Sequence, residues 1–214
     1  MRECYARYSK QDLLQNLSAV EARFEQGQLC VFPTETFYGL AASIYHPEAL
    51  IRLSALKNRG QHKPIALIAH SYEEVEKHFE LAGELERLAK VSWPGPLTLV
   101  VKPKVDFPDA LLGENGFVGV RVSPNTEATI LAGAAGGLMT ATSANFMGEP
   151  PVSHYDSIPD SLLDALDFGI DGGATMGGEP STVLGWDGDL RVYREGAISK
   201  KEIKRLLSGL NDSK

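Results

Sequence analysis

An α/β fold built on one twisted, mixed sheet is predicted by three features of this sequence. Short apolar runs of strand length, at residues 29–32, 65–69 and 137–142, alternate with longer segments that carry helix start signals. Turn formers, 21 Gly and 12 Pro, punctuate the chain from end to end. No repeat, low-complexity tract or linker divides the 214 residues, so a single domain over 1–214 is expected.

Each element has a local reason. Ser9 caps a helix whose apolar stripe, Leu13, Leu14, Leu17, Val20 and Phe24, runs to about Gln26, with Gly27 as the stop. Residues 29–32 read as a buried strand ended by Pro33. Pro47 suits the first turn of a helix carrying Leu50, Ile51 and Leu53 towards Lys57. After a strand at 65–69, Ser71 and Glu74 make a capping box for the next helix. Trp93-Pro94-Gly95-Pro96 is a turn or loop, and 97–101 is rich in β formers. Residues 117–122 alternate weakly, Asn125 caps a helix through Leu131, and 137–142 reads as a buried strand. A short helix at 161–166 and strands at 168–171, 182–186 and 190–194 follow. Ser199 and Glu202 open a last helix whose basic side, Lys200, Lys201, Lys204 and Arg205, reads as a solvated face.

Composition excludes several classes. With 21 basic against 28 acidic residues and a formal net charge of −7, nucleic-acid binding over the whole surface is disfavoured, because phosphate contacts need Lys and Arg. Basic clusters that run against that balance are therefore the informative ones. No apolar run approaches the ~18 residues of a membrane span. The polar N-terminus lacks the apolar core of a signal peptide. Cys4 and Cys30 have no C-x-x-C spacing and read as reduced thiols, which predicts a cytoplasmic protein.

The common catalytic signatures are missing. His46, His62, His70, His78 and His154 form no H-x-x-x-H pair, so no dedicated metal site is expected. Ser143 sits in Ala141-Thr142-Ser143-Ala144-Asn145 rather than in a G-x-S-x-G elbow. The glycine-rich stretch 172–178 is followed by Glu179, not by the Lys-Ser/Thr of a phosphate loop.

Three polar segments remain. Pro33-Thr34-Glu35-Thr36-Phe37-Tyr38-Gly39-Leu40 gathers hydroxyls, a carboxylate and a phenol at a strand end, where a small polar ligand can be hydrogen-bonded. Lys57-Asn58-Arg59-Gly60-Gln61-His62-Lys63-Pro64 clusters cations without an acid; Arg59 can fork onto two phosphate oxygens while lysines act as point charges. Thr142-Ser143-Ala144-Asn145 and Ser181-Thr182-Val183 present neutral donors beside strand ends. Taken alone, each is equally an ordinary turn, a solvated basic loop or a cap.

Taken in order, these segments resemble the YrdC-like family of threonylcarbamoyl-AMP synthases. Trp93-Pro94-Gly95-Pro96-Leu97-Thr98, Gly119-Val120-Arg121-Val122, Pro180-Ser181-Thr182-Val183 and Arg194-Glu195-Gly196 complete the match, which extends from about Gln11 to Leu207. The resemblance implies a twisted open sheet around a deep basic cavity, in a short, single-domain form. It implies condensation of L-threonine, bicarbonate or CO2 and ATP into threonylcarbamoyl-adenylate and pyrophosphate, with Mg2+. The product would serve tRNA threonylcarbamoyladenosine modification, with tRNA or other tRNA-modification proteins as partners. By the same match, Lys57 and Arg59 would be catalytic and, with Lys63, would hold the triphosphate. Thr34 and Tyr38 would line the threonine side, and Arg121 would face the substrate carboxylate or the phosphates. Thr142, Ser143, Asn145 and Ser181 would supply neutral donors around adenylate and threonine, and Arg194 would close the nucleotide side. Gly60, Ser123 and Phe37 depart from the family pattern. The alternative is a non-catalytic RNA-binding or regulatory protein using the same cavity.

Overall fold

The computed structural model describes residues 5–57, 64–113 and 115–209. Its frame is a mixed 11-stranded sheet. The strands are β1 (Ala6–Ser9), β2 (Cys30–Phe32), β3 (Gly39–Ala41), β4 (Ala66–Ala69), β5 (Phe79–Glu80) and β6 (Leu97–Pro103). They continue as β7 (Val118–Val122), β8 (Leu138–Ser143), β9 (Phe168–Asp171), β10 (Thr182–Trp186) and β11 (Leu190–Arg194). Their spatial order is β1-β9-β2-β3-β8-β4-β7-β6-β10-β11, with β5 paired to β6 beside this path. Parallel pairs (β1/β9, β9/β2, β4/β7, β6/β10) are interspersed with antiparallel ones such as β2/β3 and β4/β8.

Because successive strand residues face opposite sides, the buried strands feed two cores. Val31, Leu40, Leu67 and Leu138 join one cluster, while Cys30, Phe32, Ala41, Ile68 and Met139 join the other. Helices α1 (Lys10–Gln15), α2 (Leu17–Glu25) and α6 (Thr126–Ala134) cover the second face through Leu13, Val20, Phe24, Ala128 and Leu131. The first face is covered by α3 (Pro47–Leu56), α4 (Tyr72–His78), α5 (Gly83–Ser92), α7 (Asp160–Leu163) and α8 (Lys200–Gly209). Leu50, Leu53, Val75, Leu88, Leu162 and Ile203 are their buried contributions.

Several expected elements change shape. The helix predicted from Ser9 to Gln26 is two helices, α1 and α2, broken at Asn16. The Asn16 side chain donates to the Asp12 carbonyl at 2.8 Å, competing with the helical pattern, and its backbone leaves the helical region at φ −121°, ψ 29°. The stripe narrows accordingly, and Leu14 is 59% exposed. Ile51 is 69% exposed, on the solvent side of α3. Only half of the Ser71–Glu74 box forms, because the Glu74 carboxylate goes to Lys77 at 2.8 Å instead. Helix α5 begins after Ala82, which provides no side-chain cap, so its start carried no local signal. The polar strand β1 was equally unmarked; it forms because β9 offers a parallel partner.

Candidate active site

The second face of the sheet is helix-covered only where the core cluster lies. It continues through small residues, Gly39, Ala66, Gly119 and Ala141, and there it floors a cavity of about 700 Å³. The small size is needed. A Cβ on Gly39 would stand 3.1 Å from the Phe32 ring, and one on Gly119 would stand 3.3 Å from Thr98 Cγ2.

The β2–β3 loop forms one wall. Thr34 Oγ1 donates to the Phe37 carbonyl at 2.7 Å and accepts from the Thr36 and Phe37 N–H groups at 3.2 Å each, which closes a tight turn. The Tyr38 phenol donates to the Gly173 carbonyl at 2.7 Å and accepts from the Gly172 N–H at 3.1 Å. Burial pushes this phenol well above its ordinary range, despite the Gly172 N–H. Tyr38 borders the cavity, and its hydroxyl ties two loops together.

The end of β8 forms the adjoining wall. Ser143 Oγ donates to Asn145 Oδ1 at 2.6 Å, and the Ala144 N–H donates to the Tyr38 carbonyl at 2.9 Å, which binds this turn to the first loop. Lys57, at the C-cap of α3, reaches the turn from behind. Its ammonium donates to the Ser143 carbonyl at 2.7 Å, to the Asn145 carbonyl and to Asn145 Oδ1 at 3.1 Å. Lys57 is only 6% exposed and is not among the residues bordering the cavity. The Lys57 ammonium thus clamps the Ser143–Asn145 turn. Arg59 and Lys63 lie outside the described residues.

The third wall is cationic. Arg121 Nε donates to Glu35 Oε1 at 2.9 Å, and both side chains are 7% exposed. Arg194 holds the Ser181 carbonyl with Nε at 3.1 Å and Nη2 at 2.8 Å, and reaches Ser181 Oγ at 3.1 Å. Ser181 Oγ also meets Thr98 Oγ1 at 3.0 Å. Partial burial, and then the nearby Arg121 charge, hold the Arg194 guanidinium below its ordinary value. Arg121, Arg191 and Arg194 border the cavity with no carboxylate among the described lining residues.

The structure therefore brings Thr34, Tyr38, Arg121, Thr142, Ser143, Asn145, Ser181 and Arg194 to one cavity. Sequence reasoning assigned no role to Thr98, Arg191 or Tyr193, which also line it, as does Thr36 of the first polar segment. Thr98 had a usable signal, as a hydroxyl inside the apolar run of residues 97–101. Arg191 and Tyr193 alternate on β11, and the guanidinium carbon lies 5.0 Å from the ring centroid. Among the described residues, no three His, Cys, Asp or Glu side chains cluster to hold a metal ion.

A family profile named for Sua5, YciO and YrdC, and described as "Telomere recombination", matches residues 22–196. The chain belongs to the Sua5/YciO/YrdC family. A threonylcarbamoyl-AMP synthase from Pyrococcus abyssi is 33% identical over 188 residues, covering 85% of this chain and 54% of that protein. The chain thus spans about half the length of that relative. A threonylcarbamoyl-AMP synthase from Vibrio cholerae is 31% identical over 187 residues, 86% of this chain and 99% of that protein. Among solved structures, P. abyssi Sua5 complexed with L-threonine superposes with a TM-score of 0.86 at 28% identity, covering 94% of this chain and 60% of that one. Escherichia coli YciO gives 0.79 at 28% identity, covering 90% and 94%. The Sua5/YciO/YrdC fold accounts for the mixed sheet, and among the described residues no helix is long and apolar enough to cross a membrane.

Proposed function

We propose that this protein is a threonylcarbamoyl-AMP synthase that condenses L-threonine, bicarbonate and ATP, with the cavity on the second sheet face as its active site. One observation carries the reading: the Thr34 turn, Arg121, the Ser143–Asn145 turn and the Ser181–Arg194 pair border the same space. Its volume, about 700 Å³, falls in the roughly 300–1,000 Å³ range of small-ligand pockets.

In the proposed reaction the threonine amine and bicarbonate form the carbamate with loss of water. A carbamate oxygen then attacks the α-phosphorus of ATP, the bond from that phosphorus to the bridging oxygen breaks, and pyrophosphate leaves. No protein nucleophile is required, so the demand on the chain is positioning and charge stabilisation. Arg121 and Arg194 would counter the charge of the carboxylate and phosphates, since guanidinium stays protonated and forks onto paired oxygens. Ser143, Thr142 and Ser181 would donate or accept neutral hydrogen bonds around them. Mg2+ would arrive with the triphosphate, since the described residues offer it no cluster of three His, Cys, Asp or Glu ligands. The product would pass to tRNA modification in the cytoplasm, a compartment consistent with the free, buried Cys30 thiol.

The test is pyrophosphate release by the purified full chain. Release that requires threonine, bicarbonate and ATP together is expected, and the adenylate is identified by mass spectrometry. Release that ignores threonine, or no release, overturns the reading. Steeply salt-dependent tRNA binding without turnover would point to the RNA-binding alternative.

A further inference from the structure

Glu35 is an acid placed beside a cavity whose chemistry calls for cations, and it does not border the cavity itself. Its two oxygens are both engaged. Oε1 accepts from Arg121 Nε at 2.9 Å, and Oε2 accepts from the Ser123 hydroxyl. Ser123 is in turn fixed by the Asn125 N–H at 3.1 Å, at the cap of α6. Among the described residues, the Arg121 terminal nitrogens make no hydrogen bond, although the side chain is 7% exposed and Arg121 borders the cavity.

We infer that Glu35 is a positioning residue. It holds Arg121 by Nε so that the Nη1–Nη2 end of the fork receives a planar oxyanion, the carboxylate of the amino-acid substrate. The inference rests on the synthase reading above and adds to it a residue whose role is exerted through another. The physical reason is twofold. A guanidinium held through one nitrogen loses its rotational freedom before the ligand arrives, and the Glu35 charge offsets part of the Arg121–Arg194 repulsion.

The test uses the full chain with Glu35→Gln, which keeps the shape and removes the charge, and Ser123→Ala, which removes the second clamp together with the contact to the Asn125 N–H. KM for threonine and KM for ATP are measured separately by pyrophosphate release. Threonine binding without ATP is followed by calorimetry. Glu35→Gln is expected to raise threonine KM and Kd by ~10-fold or more while ATP KM moves less than ~3-fold. Ser123→Ala is expected to move the same constants in the same direction, by ~2–5-fold, and it keeps the question answerable if Glu35→Gln does not fold. Unchanged threonine constants in a folded variant overturn the inference, as does a shift confined to ATP, which would assign the Arg121 fork to phosphate. A wild-type chain that neither turns over nor binds threonine overturns the synthase reading and this inference with it. Wild-type turnover with an indifferent Glu35→Gln overturns the inference alone.

Discussion

Lys57 grips Asn145 at two points, through its backbone carbonyl and, at 3.1 Å, through Oδ1. A buried ammonium with its hydrogens directed at the Ser143–Asn145 turn acts as a mould for that turn. Lys57→Met keeps the apolar stem and removes the ammonium from the Ser143 and Asn145 carbonyls, while Asn145 Oδ1 keeps the Ser143 hydroxyl. It is expected to cost about 2–4 kcal/mol in urea unfolding, the range for losing hydrogen bonds to a buried charge. Turnover should fall with it, because Ser143 is displaced. A Lys57→Met chain of wild-type stability would show that the clamp is not structural.

Tyr38→Phe separates packing from ligand contact. The ring packs edge-on to Tyr155, with centroids 5.9 Å apart, and should stay in place while the bonds to Gly172 and Gly173 are lost. A loss of about 1–2 kcal/mol in stability is expected, with threonine KM nearly unchanged. A large rise in threonine KM at constant stability would assign Tyr38 the ligand contact that the sequence suggests.

Gly196 lies against the Pro180–Ser181 segment that leads into β10. A Cβ there would stand 2.1 Å from the Pro180 carbonyl oxygen, a backbone atom that cannot swing aside. Gly196→Ala is expected to destabilise by about 1–3 kcal/mol or more, as overpacking does. It should also lower kcat/KM by moving Ser181 relative to Arg194. Thermal unfolding and steady-state kinetics check both effects.

Acid sensitivity should trace in part to Asp171. Burial pushes its carboxyl up, but the hydrogen bond from Arg7 at 2.5 Å, the Gly173 N–H and the Arg7 charge outweigh burial, so the net shift is below the ordinary value. A depressed folded-state value contributes stability above the unfolded pKa and loses it as pH falls through the folded one. Wild-type stability is therefore expected to drop below about pH 4 more steeply than that of Asp171→Asn. Parallel urea midpoints for the two proteins across that window would refute the coupling.

The structure also divides what was legible from what was not. Strands β9, β10 and β11 were delimited by their turn residues and apolar content, as the observed bounds show. The caps at Ser9 and Asn125 were legible because the capping hydrogen bond joins residues three apart in the chain. The break at Asn16 was obscured by an apolar stripe that continues past it, and α5 by the lack of a capping side chain.

By itself, then, the sequence determined the alternation of strands and helices, the turn-forming segments and the polar residues present at strand ends. These follow from backbone propensity, capping and side-chain periodicity, all of which act over a few residues. Only the tertiary structure decided how those polar groups are used. Lys57 turns to Asn145, 88 residues away, Arg121 to Glu35, 86 residues away, and Tyr38 to Gly173, 135 residues away. A side chain's partner is chosen by proximity in space after the sheet has set its strand order, and local physical chemistry carries no record of that choice.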